Sequence, residues 1–463
     1  MLPFVLSRCE CSALSSLCAR HLSAAPNHTT LDLTPVLGCV YFRHLRASFL
    51  SSPLLEEDWR HGKPAWKLTR IDQSFEKDCI DLNRISAFLK YEISVGLPKK
   101  ARGIQGLINE ASAYYKFNLY QHIKYAVMAV NGQTFHWSGV AVTVVCSSGC
   151  NLDNLADYVN SFISGVRSSS LLIDECDGKN WDATMNEVLL RLEASVYELL
   201  LKGMANDHLQ RSSGSKGRLA FADLTGMLQY VRYFISWKRL SGDWNTSIGN
   251  FLINLIIRLS SLPLIKARAA LFLIQGDDFL GFYDDGGVNS VHDCRLMLNE
   301  HDSACGITPD RGVSRDLLAA QFCSLYLWPS DVGFVFRPKL SSIYCKLFWT
   351  VKDIPRNQVG LIRSALIANY IPLFSGFQSI TNFLTQHLTT PIGVSIDLPI
   401  AYDLLTTSRD VRVEWAYGLL RYGLPLSAFP LDLPPFHITH FPAFDVVSAW
   451  EAADPALRHA NEI

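Results

Sequence analysis

Asp277 and Asp278 follow Gly276 between two apolar runs, Leu271 to Gln275 and Phe279 to Phe282. The runs predict two short buried strands, and glycine supplies the backbone freedom that a tight turn between them demands. Both carboxylates then stand at a hairpin tip, where two like charges raise each other's pKa. A fold that keeps both ionised there calls for a bound cation, so this pair marks a metal site. A third carboxylate, Asp177, ends a strand-like run that starts at Leu171, about one hundred residues upstream, and Asp182 follows it closely. Oxygen ligands on rigid strand ends suit magnesium.

The surrounding stretches predict what holds these groups. After Asp182, Thr184 and Glu187 have capping-box spacing, and Met185, Val188, Leu189, Leu192, Val196, Leu199 and Leu200 recur at helical intervals. Met227 to Ile235 reads as a strand, and Thr246 to Leu259 as a helix entered through Ser241-Gly242-Asp243, which reads as a mobile loop. Asn250 lies one turn after Thr246, so the two share a face. Asp285-Gly286 reads as a turn closing the second strand of the aspartate hairpin, and Ser290 to Cys305 as a helix ended by Gly306. Arg211 to Arg218, rich in Ser and Gly, reads as a mobile basic loop, and Ala320 to Ser324 with Phe334 to Lys339 as a further hairpin.

The Asp177–Asp182 stretch, the Ser241–Asn250 stretch and the Gly276-Asp277-Asp278 turn, in this order, resemble the catalytic motifs of viral RNA-directed RNA polymerases. The middle stretch is most similar to the tombusvirus-like group of positive-strand RNA viruses. The resemblance covers roughly Leu97 to Lys346. It implies an α+β right-hand polymerase, with fingers, palm and thumb and an antiparallel palm sheet backed by helices. Residues 1–30 are then a leader or targeting segment, 31–168 the N-terminal part of the fingers, 169–345 the palm with a fingers insertion at about 203–226, and 346–463 the thumb and tail.

The implied activity is template-directed RNA synthesis from nucleoside triphosphates with release of pyrophosphate. Asp177, Asp277 and Asp278 would hold Mg2+, or Mn2+ in its place, and two ions about 4 Å apart would serve the attacking and leaving oxygens. Asp182 and Asn250 would read the ribose 2′-hydroxyl, with Ser241 and Thr246 beside them. Lys99, Lys100 and Arg102 would guide the triphosphate; without the resemblance they read equally well as solvated charge. Asp174 reads as either an outer-shell helper or a strand-end surface acid. Many of these polymerases carry a lysine after the helix that follows the hairpin, but Ile307 to Gly312 has none. Arg311 holds its proton too tightly to replace it, and His301 is better matched in pKa but lies far back on the helix.

The chain has 463 residues, 49% of them hydrophobic, and 42 basic against 43 acidic side chains. That length and composition suit one multi-lobed enzyme, and the charge balance excludes a generally basic RNA coat protein. Any affinity for RNA must come from local clusters. The 12 cysteines lack zinc-finger pairing and read as reduced, mostly buried thiols. The longest apolar run, Phe251 to Leu259, is broken by Asn254 and Arg258, so the reading holds no transmembrane helix. The first thirty residues have the composition of a transit peptide or an unstructured viral leader. Expected partners are RNA template and product, nucleoside triphosphates, viral replication proteins and host membrane, in membrane-associated complexes of the host cytoplasm. The rival readings are a non-catalytic RNA-binding replication scaffold and a reverse transcriptase.

Overall fold

The structure is a computed structural model that describes residues 10–22, 28–51, 83–89, 104–108, 122–222, 227–243, 245–330 and 333–338, with a few positions elsewhere. The helices are α1 (Glu10–Leu17), α2 (Val40–Ser51), α3 (Leu152–Ser164), α4 (Glu187–Leu200), α5 (Ala205–Ser213), α6 (Thr246–Ser261) and α7 (Val291–Ala304). The strands begin with β1 (Arg84–Leu89), β2 (Ile104–Ile108), β3 (Thr134–Trp137), β4 (Val140–Cys146), β5 (Leu171–Gly178) and β6 (Ser215–Ala222). They continue with β7 (Leu228–Ile235), β8 (Ala269–Gln275), β9 (Asp278–Asp284), β10 (Pro309–Ser314), β11 (Leu325–Ser330) and β12 (Gly333–Pro338). Two compact units are present, one of Arg8–Lys90 with Ala101–Cys323, the other of Met1–Ser7, Tyr91–Lys100 and Ser324–Ile463.

A six-stranded sheet in the order β10-β5-β9-β8-β4-β3 forms the centre of the larger unit. Its inner strands read as unbroken apolar runs because both faces are covered. On one face Val142, Val144, Phe272, Ile274, Phe279 and Tyr283 join a core with Leu189, Val196, Phe251, Leu255 and Leu259 of α4 and α6. On the other, Leu271, Leu273, Leu280 and Phe282 are buried, and α3 packs against β8. The sheet is mixed where the sequence implied an antiparallel one: β4 runs parallel to β8, with Ala141 opposite Ala269 and Cys146 opposite Ile274. A parallel pair needs a long crossover, and everything from Ser147 to Arg268 makes it.

Helix α6 is apolar almost all round and correspondingly buried, including Ile253, Leu255, Ile256, Ile257 and Leu259. Together with the turn that follows it, Thr246–Leu264 is long and apolar enough to cross a membrane by length and composition alone. That stretch is 78% buried within the protein, with Asn254 and Arg258 bonded internally, as befits a core helix.

A second sheet, in the order β2-β1-β6-β7, takes up residues 215–222, so the expected mobile loop at Arg211–Arg218 is instead the end of α5 and a strand. Strand β6 lies antiparallel to β7 and parallel to β1. The leader is ordered in part: α1 packs Ala13 and Leu17 against Ala87, Leu219 and Phe221 of this sheet. Helix α4 starts two residues later than the expected capping box, because Asn186 and not Thr184 accepts from a backbone amide, that of Leu189. Within the stretch read as a strand over Ala320–Ser324, Gln321–Phe322 is one, but the hairpin partner of β12 is β11, within the smaller unit. The helical run expected over Asn109–Tyr125 is described only from residue 122, where helix continues to 129. The expected thumb, 346–463, lies outside the described residues save Ile367 and Tyr370, and so do Lys99, Lys100 and Arg102.

Candidate active site

Strands β8 and β9 form the predicted hairpin, with Gln275 opposite Asp278 and Gly276-Asp277 as its two-residue turn. Gly276 has φ +63°, a conformation that disfavours a side chain and fits the first turn position. Strand β5 lies beside β9 with Cys176 opposite Phe279, so Asp177 and Asp278 each stand one residue beyond that pair, at the same edge of the sheet. Asp182 follows in the single helical turn Trp181–Thr184.

The four carboxylates share one electrostatic environment. Burial raises the Asp277 carboxyl to about 7, and Asp278, Asp182 and Asp177 add to the shift. Its sign gives a pH dependence. Between about 4 and about 7 the folded chain holds a proton at Asp277 that the unfolded chain has released, so stability falls as pH rises through that window and levels above it. Asp277→Asn should remove that slope and stabilise the metal-free protein at about pH 8, by on the order of 1–3 kcal/mol. Thermal melts in chelator from about pH 5 to about pH 8 check this, and an unchanged slope would contradict the assignment.

The turn is held from behind. Asn254, one helical turn after Asn250, donates to the carbonyls of Gly276 at 3.3 Å and Asp277 at 2.9 Å. Arg258 in turn donates to Asn254 Oδ1 at 3.1 Å and pairs with Asp302 at 3.0 Å. Arg311 lies between Asp302 and Asp174, 2.7 Å from the latter, all of them buried. Asp174 is thus neither a surface acid nor an outer-shell ligand; it is one corner of a buried two-arginine, two-aspartate network under β5. Burial pushes Asp302 up, but the two guanidiniums outweigh it and hold this carboxyl well below the usual range. For Asp174 burial wins, and its pKa is raised.

Neither general-acid candidate is at the carboxylate cluster. Arg311 is locked in the network, its proton held still more tightly than usual by Asp174 and Asp302 against the effect of burial. His301 shares a hydrogen bond of 3.0 Å with Ser260, at the contact between α6 and α7.

The expected sugar readers are brought together. Ser241 donates to the Asp182 carboxylate, and Asp243 of the same loop accepts from Arg211 of α5, so the loop is tied at two points. Thr246 donates to the Leu240 carbonyl at 2.8 Å and so closes the loop onto the helix start. Asn250 is buried with Oδ1 unpartnered, and its Cβ lies 3.8 Å from where a side chain at Gly276 would begin. Glu193 of α4, buried, accepts from Arg239 and from Asn245 at 2.9 Å, which fixes both ends of the loop. A side chain at Gly249 would collide with that carboxylate, which explains glycine beside Asn250.

Sequence reading missed Asn254, Gln275 and Arg211. Gln275 Oε1 accepts from Ser147 at 2.9 Å and Cys323 at 3.3 Å, gathering two further segments to the hairpin. Asn254 left a trace, as a polar residue interrupting an apolar helix four positions before Arg258. Gln275 and Arg211 left none. The described cysteines are unpaired, and Cys39, Cys146, Cys176, Cys294 and Cys305 are buried, as expected.

Among the described residues no three His, Cys, Asp or Glu side chains are gathered closely enough to enclose an ion. The donor set still fits a hard divalent cation: carboxylate oxygens on strand ends, whose mutual repulsion such a charge would relieve.

Carboxylates thus stand at the edge of an open sheet, beside a tied loop and a buried unpartnered amide oxygen. Residues 175–310 match the family of viral RNA-dependent RNA polymerases, a span that contains all four aspartates and Asn250. The chain is an RNA-directed RNA polymerase carrying a viral polymerase domain, and RNA and nucleotides are its ligands. No curated protein matches the chain.

Proposed function

We propose that this polymerase replicates the genome of a positive-strand RNA virus of the tombusvirus-like group, by two-metal nucleotidyl transfer. The convergence of Asp177, Asp182, Asp277 and Asp278, with Asp277 raised to about 7 by burial and its neighbours, carries the reading. The primer 3′ oxygen attacks the α-phosphorus, the bond to the β-phosphate breaks, and pyrophosphate leaves. Mg2+, or Mn2+, when bound, stabilises the charge on attacking and leaving oxygens. Asp177, Asp277 and Asp278 would hold the ions, and Asn254 keeps the turn carrying Asp277 in place. Lys99, Lys100 and Arg102 align the triphosphate. The six-stranded sheet is the palm of a right-hand architecture, with fingers before it and in the 203–226 insertion, and a thumb after it. The enzyme works with other viral replication proteins at host membranes in the cytoplasm.

Asp182 and Asn250 select the sugar. The 2′-hydroxyl donates to Asn250 Oδ1, which is buried without a partner in the protein, with Asp182 holding Ser241 in the neighbouring loop; a deoxynucleotide leaves that oxygen unpaired. The intact enzyme should prefer ribonucleotides, and Asn250→Ala should reduce that preference about tenfold or more. Competing ribo- and deoxynucleotide incorporation measures it. Equal use of both by the intact enzyme would refute ribose reading.

A further inference from the structure

The second sheet has one face inside and one outside. Ile85, Ala87, Leu219, Phe221 and Ile235 are buried, and α1 covers part of that inner side. The alternate residues face outward: Arg84 on β1, Lys216 and Arg218 on β6, and Leu228, Tyr230, Arg232 and Phe234 on β7, all exposed. Tyr230 is 45% and Phe234 61% exposed, unusual for aromatic side chains on an ordered strand. No acidic side chain shares this face among the described residues.

The pairing makes the charge conspicuous. Arg218 lies directly opposite Arg232, and Arg84 directly beside Lys216. Like charges in such positions weaken a sheet, and an anion between them would relieve the repulsion. The Arg218 guanidinium lies 3.5 Å from the centre of the Tyr230 ring, forming a flat cationic platform. Phe234 is four residues along the same strand, about 13 Å away, with Arg232 between the two rings.

We propose that this outer face is a binding surface for single-stranded RNA, separate from the carboxylate centre. The inference rests on the reading of the chain as an RNA polymerase for its choice of nucleic acid. Phosphates lie along the cations Arg84, Lys216, Arg218 and Arg232, and two bases stack on the Tyr230 platform and on Phe234. Unpaired RNA supplies ring faces and regularly spaced anions together. A duplex buries its ring faces, and an anionic membrane offers charge without rings.

The test uses the full chain without nucleotides and follows binding of a labelled unstructured RNA of about twelve nucleotides across a salt series. The triple variant Lys216→Ala, Arg218→Ala, Arg232→Ala should weaken binding about tenfold or more and reduce the slope of log affinity against log salt by about 2. Phe234→Ala should weaken binding about tenfold and leave the slope unchanged, since stacking releases no counterions. All these side chains are exposed, and melts matching the parent protein confirm that the variants fold. Parallel arms use a duplex of the same length and vesicles of anionic phospholipid. Unchanged RNA affinity and slope in both variants would overturn the proposal, as would a loss confined to vesicles, which would make the face a membrane surface. Incorporation is measured separately. With saturating template the triple variant should keep the parent turnover and need more template, and an inactive parent would sink the polymerase reading while the binding comparison still decides this face.

Discussion

Replacing both hairpin carboxylates, Asp277→Ala with Asp278→Ala, is expected to lower nucleotide incorporation by at least about a thousandfold while RNA binding survives. The reasoning is electrostatic. Charge that develops on the attacking and leaving oxygens must be balanced by ions held at fixed positions, and these two side chains stand at the tip of a hairpin whose turn is itself fixed by Asn254. Neither side chain is fully buried, so their loss leaves no large cavity. It also removes a carboxyl whose charged form burial and the neighbouring aspartates disfavour, so at about pH 8 the double variant should be no less stable than the parent in chelator. Single-turnover incorporation with saturating template and nucleotide, beside RNA affinity and a melt, separates chemistry from binding and folding. A variant that still incorporates at a tenth of the parent rate would place the ions elsewhere.

A second large effect is expected behind the sheet. Asp302→Ala should destabilise the protein by about 3–5 kcal/mol, because Arg258 and Arg311 would then share only Asp174 in a fully buried site. For a chain of this length that corresponds to a fall in melting temperature of roughly 5 °C. The direction follows from which term dominates. The gain from an intact buried ion pair is largely offset by desolvation, whereas an unpaired buried guanidinium bears the whole desolvation penalty. The network ties α6, α7, β5 and β10 together, and Arg258 passes its position to Asn254 and so to the Gly276-Asp277 turn. Differential scanning calorimetry checks the prediction. A melt within about 2 °C of the parent would mean that water or another group compensates the arginines.

The placement of the carboxylates was legible in the sequence because its signals are local. Two aspartates after a glycine between apolar runs specify a hairpin tip, and helical spacing alone relates Thr246 to Asn250. The strands at Leu171, Ala269 and Asp278 and the helices at Thr246 and Val291 follow from unbroken apolar runs and helical periodicity. What was not legible depends on partners distant in sequence. The buried network joins Arg311 to Asp174, 137 residues away, and Arg258 to Asp302, 44 away, and nothing in either neighbourhood announces the pairing.

The parallel β4–β8 pair is hidden for the same reason, since parallel pairing has no turn to signal it. Residues 211–218 read as a loop through their Ser, Gly and Lys content, yet 215–222 form a strand because β1 and β7 supply hydrogen-bonding edges on both sides. The loop at Ser241–Asp243 read as mobile for its glycine, yet Asp182 and Arg211 hold it at two side chains.

The most direct test of the central claim is the dependence of product on template. Purified full-length protein, Mg2+ and a homopolymeric RNA template with a short complementary primer are supplied with each labelled ribonucleotide in turn. RNA-directed synthesis predicts extension only by the complementary nucleotide, with none when the template is omitted. Equal extension by all four nucleotides, or extension of the primer alone, would contradict it, and so would failure to extend by protein that binds the primed template.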